Sequence, residues 1–363
     1  MRAAHWHFSG FVVSLGRFFA LWFVLAGCAF AQTESVTKHG SVERIQIHGK
    51  SLEGNLEGDS ADRDVSVYLP PSYAMNPHRR YPVLYVLHGF TDTDTTWFGN
   101  KHTFVNGTAA ADRAFTSGTR DMILVMPNAF TRYFGSMYSS SVTTADWEGF
   151  IARDLVAYID SHYRTIPDRM SRGLAGHSMG GYGTFRLGMK HAEVFSSIYA
   201  MSACCLVPSP NLRDSAKASL EDIHTDAEFA AADFFTKVNF ASAAAWSPEP
   251  ENPPRFLDLP WKNGEFQPLV AQKWAANAAT VMIDQYVPNL KSLHVVALDV
   301  GTKDFLEAGV QAMDKILTDY KIVHTYETYD GDHLNRIEGR FEKKVLPFFA
   351  TNLSFQPADV AAK

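Results

Sequence analysis

Two periodicities alternate along this chain from about residue 64 onward. Residues 81–87 (Tyr-Pro-Val-Leu-Tyr-Val-Leu) and 122–126 (Met-Ile-Leu-Val-Met) are continuous apolar runs bounded by turn residues. Such runs predict strands buried on both faces of a parallel sheet. A first strand over 64–69 ends at Pro70-Pro71, and further strands are predicted at 172–175, 197–200, 294–298 and 324–329. Helical periods separate them. Asp146 can cap a helix in which Ile151, Leu155 and Ile159 recur every four residues, with Pro167 beyond its end. The alternation predicts an α/β domain with a mostly parallel central sheet flanked by helices and joined by right-handed crossovers.

One stretch breaks this rhythm. Between about 206 and 289 no buried-strand run occurs, and residues 248–268 contain Pro248, Pro250, Pro253, Pro254, Pro260 and Pro268. This Pro-rich insertion precedes the strand at 294–298. It is expected to pack over one edge of the sheet and to serve as a lid or pocket wall, since insertions between such strands emerge where open α/β sheets bind ligands. The expected organisation is a leader at 1–31, a polar N-terminal extension at 32–62, a catalytic domain at 63–351 and a C-terminal tail at 352–363.

The leader follows from its own pattern. Arg17 precedes the apolar run 18–25, which is too short to span a bilayer but fits a secretory signal. Ala29-Phe30-Ala31 would release a chain starting at Gln32, the favoured outcome, whereas Leu25-Ala26-Gly27-Cys28 resembles a lipobox that would leave a lipid anchor on Cys28. The expected location is periplasmic or extracellular.

Composition narrows the function. The 363 residues are 46% hydrophobic and 20% charged, which excludes a disordered or collagen-like chain. A net charge of -6 without a basic run argues against a nucleic-acid partner. Of three cysteines, Cys28 lies in the leader and Cys204 and Cys205 are adjacent, so there is no disulfide framework and the pair is read as two small buried residues at a strand end. No mature Cys or His pair has zinc spacing, and neither a metal nor a cofactor is expected.

The chemical signal is Gly176-His177-Ser178-Met179-Gly180-Gly181, set between a predicted strand and a helical pattern at 182–190. A sharp strand-to-helix turn needs small flanking residues if it is to hold a serine hydroxyl above the sheet edge. Ser178 is therefore the candidate nucleophile. A serine needs a base, and the base needs an orienting carboxylate. In this type of fold the order is Ser, acid, His. After the 294–298 strand the acids are Asp299 and Asp304, and the turn Gly301-Thr302-Lys303-Asp304 favours Asp304. Of the histidines after Ser178, only His333 lies in the loop behind the last strand, before a helix carrying Ile337, Phe341 and Leu346. The expected oxyanion donors are the amides of Met179 and of Phe90, the latter in Leu87-His88-Gly89-Phe90, where His88 is read as bracing the turn. Trp97, Trp147, Trp246 and Trp261 are weighed as pocket walls and read more readily as core or lid residues.

With these residues in place, the chain resembles the esterase D/feruloyl esterase branch of the α/β-hydrolases, which also contains S-formylglutathione hydrolases and mycolyltransferases. The likeness covers about residues 64–350. It is carried by Pro82-Val83-Leu84-Tyr85-Val86-Leu87-His88-Gly89, Trp147-Glu148, the 162–169 segment His-Tyr-Arg-Thr-Ile-Pro-Asp-Arg, Ala175-Gly176-His177-Ser178-Met179-Gly180-Gly181 and Gly331-Asp332-His333. The resemblance implies an α/β-hydrolase fold and ester hydrolysis through an acyl-enzyme, with Ser178, Asp304 and His333 as triad. The expected substrate is a small-molecule or polysaccharide-linked ester. Acyl transfer and non-catalytic carbohydrate binding are the alternatives.

Overall fold

The computed structural model describes residues 39–99, 103–208, 217 and 220–356. The expected leader at 1–31, with its cleavage sites and Cys28, lies outside the described residues, as does the end of the C-terminal tail. Among the described residues, eight strands form the main sheet: β1 (Ser41–His48), β2 (Asp62–Leu69), β3 (Val83–Leu87), β4 (Ile123–Pro127), β5 (Arg172–His177), β6 (Ser197–Met201), β7 (Val295–Gly301) and β8 (His324–Tyr329). Their spatial order is β1-β2-β4-β3-β5-β6-β7-β8. The β1–β2 and β2–β4 pairs are antiparallel and all other neighbours are parallel. Every residue of β3, β4 and β6 is buried, as their unbroken apolar runs require.

Strand β1 lies where the sequence pattern suggests a polar extension. Its eight residues pair with β2 from Ser41↔Leu69 to His48↔Asp62, yet only Ile47 among them is buried, with Val42 and Ile45 packed part-buried against the core. An edge strand with one face in water carries charges such as Glu43 and Arg44 along its length, which hides it from a search for apolar runs.

Helices cover both faces. On one side lie α2 (residues 147–162), α3 (Met179–Lys190) and, after the insertion helix α4 (Phe234–Trp246), α5 (Glu307–Asp319); on the other lie α1 (Gly107–Thr116) and α6 (residues 337–352). In α2 the Asp146 carboxylate caps the Gly149 amide at 2.8 Å, and Ile151, Leu155 and Ile159 are fully buried. An α-helix turns about 40° too far for a strict four-residue repeat to stay on one face. A π-type turn at Phe150–Leu155 takes up the excess. The same solution recurs in α6, where Ile337, Phe341, Val345 and Phe349 are fully buried and the π turn is Phe341–Val345.

The insertion does not cover a sheet edge. It packs on α3 and on the connection after β4: Tyr182 meets Trp246 with ring centroids 5.6 Å apart, the Tyr182 hydroxyl donates to the Asn277 carbonyl, and the Trp246 indole donates to Ser139 Oγ. Because β6 and β7 are parallel neighbours, the chain between them must cross a face of the sheet, and that face is where α3 lies.

One buried charge ties the last helix to the sheet. Asp299 in β7 has no side-chain exposure; it accepts from Arg340 Nη2 at 2.6 Å, from Arg340 Nε at 2.8 Å and from the Tyr199 hydroxyl at 2.8 Å. Arg340 also reaches Glu327 on β8 at 2.9 Å. Burial pushes the Asp299 carboxyl up to about 6 against the pull of Arg340. Replacing Arg340 with Met should cost about 3–5 kcal/mol at neutral pH, because Asp299 loses its partner and must take up a proton to stay inside. In that variant the native state holds a proton on Asp299 that the unfolded chain releases near pH 4, so stability should fall as pH rises from about 4 to 8. Urea denaturation across that range checks both.

Candidate active site

All the residues that sequence reasoning selects stand at the carboxyl ends of the parallel strands, where open α/β sheets place their ligands. Ser178 follows β5 and precedes α3, with φ 58° and ψ −116°. This is a sterically costly conformation for a residue with a side chain, of order 1–3 kcal/mol. Surrounding hydrogen bonds hold it. The Ser178 amide donates to the Met201 carbonyl at 3.0 Å, and the Ser178 carbonyl accepts from the amides of Tyr182 at 3.0 Å and Cys204 at 3.1 Å. Gly176 and Gly180 let the chain fold back so tightly: a methyl group on Gly176 would overlap the Gly180 carbonyl, and one on Gly180 would overlap the Leu87 carbonyl.

The Ser178 hydroxyl lies 3.0 Å from His333 Nε2, and His333 Nδ1 lies 2.9 Å from Asp304 Oδ2. The three side chains form one hydrogen-bonded line. Asp304, not Asp299, is the acid that meets His333; Asp299 sits inside β7 and is used by Arg340. Strand register explains the difference. Gly301 pairs with Tyr329, after which the Thr302 amide donates to Tyr329 and the Lys303 amide to Gly331, so the turns after β7 and β8 run side by side. Burial works against ionisation of Asp304, yet the His333 hydrogen bond and charge, with the Leu306 amide at 2.9 Å, bring its carboxyl below the usual value.

The two expected oxyanion donors lie in the turns after β3 and β5. Met179 is the first residue of α3, so its amide has no acceptor within the helix. The Phe90 amide makes no hydrogen bond among the described residues. The turn that carries Phe90 is braced by His88, whose Nδ1–H donates to the Gly89 carbonyl at 2.8 Å while Nε2 accepts from the Ala129 amide at 2.8 Å. Complete burial lowers the His88 pKa to about 4, which keeps that pattern intact as a neutral ring.

Three features escaped sequence reasoning. His177 donates from Nε2 to the backbone carbonyl of His333 at 2.9 Å and so pins the loop that carries it; burial, followed by the nearby His333, lowers its pKa to about 3. The only sequence signal was its place immediately before Ser178. The insertion supplies Phe234 and Phe235 at the start of α4 as one wall of the cleft, and Phe305 covers His333 with ring centroids 4.9 Å apart. None of the four weighed tryptophans lines this cleft. Trp97, Trp147 and Trp246 are buried, and Trp261 stands in a separate hollow of the insertion. Cys204 and Cys205 follow β6 as partly buried free thiols.

The cleft measures about 650 Å³ and opens above Ser178 and His333. Residues 60–338 match the Esterase family ("Putative esterase"). The chain belongs to this esterase family. It is 28% identical over 163 residues, 43% of this chain, to an endo-1,4-beta-xylanase/feruloyl esterase of Xylanibacter ruminicola, and 33% identical over 135 residues, 37% of this chain, to an esterase of Mycobacterium tuberculosis. The matched parts span 21% and 27% of those two relatives. Among solved structures, a ferulic acid esterase superposes with a TM-score of 0.62 at 22% identity, covering 87% of this chain and 99% of its own. An S-formylglutathione hydrolase from Staphylococcus aureus does so with 0.56 at 16%, covering 86% and 99%. These likenesses establish the α/β-hydrolase fold that the resemblance implies.

The esterase elbow carries its own test. Gly180→Ala should destabilise the protein by about 1–3 kcal/mol or more, since the added methyl meets backbone and no flexible side chain can yield. A thermal melt at wild-type Tm would contradict the close approach.

Proposed function

We propose that this esterase-family member is an exported serine carboxylic-ester hydrolase that works through an acyl-enzyme. The observation that carries the reading is the Ser178–His333–Asp304 hydrogen-bonded line at the strained turn after β5. In this reading His333 Nε2 takes the Ser178 proton as Oγ attacks the ester carbonyl. The oxyanion rests on the amides of Phe90 and Met179, worth about 2.7–4 kcal/mol for one donor. Asp304 accepts from His333 Nδ1–H, selects the tautomer that leaves Nε2 free to act as base, and offsets the imidazolium charge. The imidazolium then protonates the departing alcohol, and water repeats the sequence on the acyl-enzyme.

Export rests on the order of Arg17, the apolar run 18–25 and the small-residue sites in the leader. It favours esters met outside the cytoplasm, such as acetyl or feruloyl groups on polysaccharide, and the name of the Xylanibacter relative points the same way. The aromatic wall of Phe90, Phe234 and Phe235 suits a flat or apolar acyl group.

Ser178→Ala should abolish hydrolysis of p-nitrophenyl acetate while leaving Tm close to the parental value; near-parental activity would sink the assignment. Asp304→Asn should lower kcat by about four orders of magnitude with little change in KM, because the wrong tautomer is held. The acyl preference is read from kcat/KM for methyl ferulate against p-nitrophenyl acetate, with Ser178→Ala as blank. A high ratio supports a hydroxycinnamoyl pocket, and a low ratio with fast acetate turnover moves the substrate to small acyl esters.

A further inference from the structure

The cleft beside Ser178 is walled largely by aromatic rings, and the turn after β3 places the Asp92 carboxyl in the same lining. Its neighbours Thr93 and Thr96 use their hydroxyls in the capping box of the short helix Asp94–Phe98. Apart from His177, Ser178 and His333, Asp92 is the ionisable side chain among the described residues that line the cleft. The carboxyl stands close to the reacting centre. A methyl group placed on Gly89 would lie 3.2 Å from Asp92 Oδ2 and 3.5 Å from Ser178 Cβ.

An ionised carboxyl can only accept hydrogen bonds, and in an apolar-walled site it is costly until a donor arrives. Burial pushes Asp92 up to about 6, with the Gly89 amide, the Trp97 indole and the charge of His333 pulling the other way. At neutral pH it is therefore mostly a partly desolvated carboxylate. Geometry says which part of an ester it meets: the same methyl group on Gly89 would lie 3.5 Å from His177 Nδ1, and the His177 ring stands 4.7 Å from that of His333, which sets Asp92 on the histidine flank of the cleft. The leaving alcohol must lie against His333 Nε2 to be protonated, so the side of the cleft shared by Asp92 and His333 is the alcohol side. Its closeness to Ser178 limits its reach to groups a few bonds from the scissile carbonyl.

We propose that Asp92 is a specificity-determining residue that accepts a hydrogen bond from a hydroxyl vicinal to the ester oxygen on the alcohol part of the substrate. The preferred substrates are then monoesters of 1,2-diols, the arrangement that a sugar ring presents. The inference rests on the ester-hydrolase reading above.

The test compares kcat/KM for 2-hydroxyethyl acetate with that for n-propyl acetate, each normalised to its hydroxide-catalysed rate. Wild-type enzyme should prefer the hydroxyl ester by about ten-fold or more, the usual yield of a hydrogen bond to a charged group. Catalytic ionisations common to both substrates cancel in the ratio. The titratable groups facing Asp92 are His333, from the loop after β8, His177, at the end of β5, and Tyr138, from the connection after β4, whose hydroxyl burial and the Asp92 charge keep protonated. The preference should fall as pH drops through about 6, where Asp92 gains a proton and the charge-assisted bond is lost. Asp92→Ala should remove the preference, and Asp92→Asn should leave a smaller one without the pH step. A wild-type ratio near one overturns the proposal, and needs no variant to fold. So does a preference that survives Asp92→Ala, or one seen only with an acyl hydroxyl, as in methyl lactate against methyl isobutyrate. Loss of Ser178-dependent p-nitrophenyl acetate hydrolysis would instead defeat the esterase reading itself.

Discussion

The backbone of Ser178 is the constraint on which the rest of the site depends. A left-handed φ at a residue with a side chain persists only where neighbours over-determine it. Here the determinants come from the ends of two strands: the Met201 carbonyl at the end of β6 with the Cys204 amide just beyond it, and the Leu87 carbonyl at the end of β3, against which Gly180 packs. That last contact has a second effect. Because α3 can approach no closer than the Leu87 and His88 carbonyls allow, the turn carrying the Phe90 amide and the amide of Met179 are brought to neighbouring positions by the same close packing that holds the serine up. Ser178 and these two backbone amides are one piece of backbone geometry.

Two acids five residues apart show how position within a strand decides chemistry. Asp299 lies inside β7, where the sheet leaves it no water, and it is held by Arg340 and Tyr199. Its charge is committed to joining α6 to the sheet. Asp304 lies past Gly301, a position where any side chain would overlap the Gly331 carbonyl. Glycine there lets the turns after β7 and β8 run in contact, and the contact sets Asp304 beside His333. His177 completes the arrangement from below. As a neutral ring it has one N–H, and it gives that donor to the His333 backbone, so the base is fixed through its main chain by one histidine and through its ring by Asp304.

Much of this was legible in the sequence because the signals were local or ordered. The buried strands announced themselves as apolar runs, and their ends fell within a few residues of the observed ones. Ser178 was flagged by glycines at fixed offsets, and His333 by its place behind the last strand. What was not legible depended on packing across the chain. Strand β1 carries the composition of a loop because one of its faces is wet. The π turns follow from summing a four-residue repeat over several turns of helix, which no short window reveals. The path of the insertion followed from the adjacency of β6 and β7, and Phe234 and Phe235 entered the cleft because that path crosses α3. The tryptophans fell where the sequence reading favoured, in the core and the insertion, because large rings are placed by where volume must be filled.

The division of labour between these parts has a physical consequence for specificity. The elbow, the donor turn and the acid–base pair are locked together by backbone contacts that tolerate no added atom. Of the aromatic wall, Phe90 belongs to the donor turn, but Phe234 and Phe235 lie outside that lock. Phe234 and Phe235 begin a helix whose start is set by Asp233, which accepts from the Phe235 amide at 2.9 Å and the Thr236 amide at 3.2 Å. Their side chains can therefore change without disturbing Ser178. Asp92 stands between the two regimes, in the same turn as the Phe90 amide but directed into the cleft. Within one fold, then, strand ends set the Ser178–His333–Asp304 line, and an inserted helix and a single turn residue line the cleft above it.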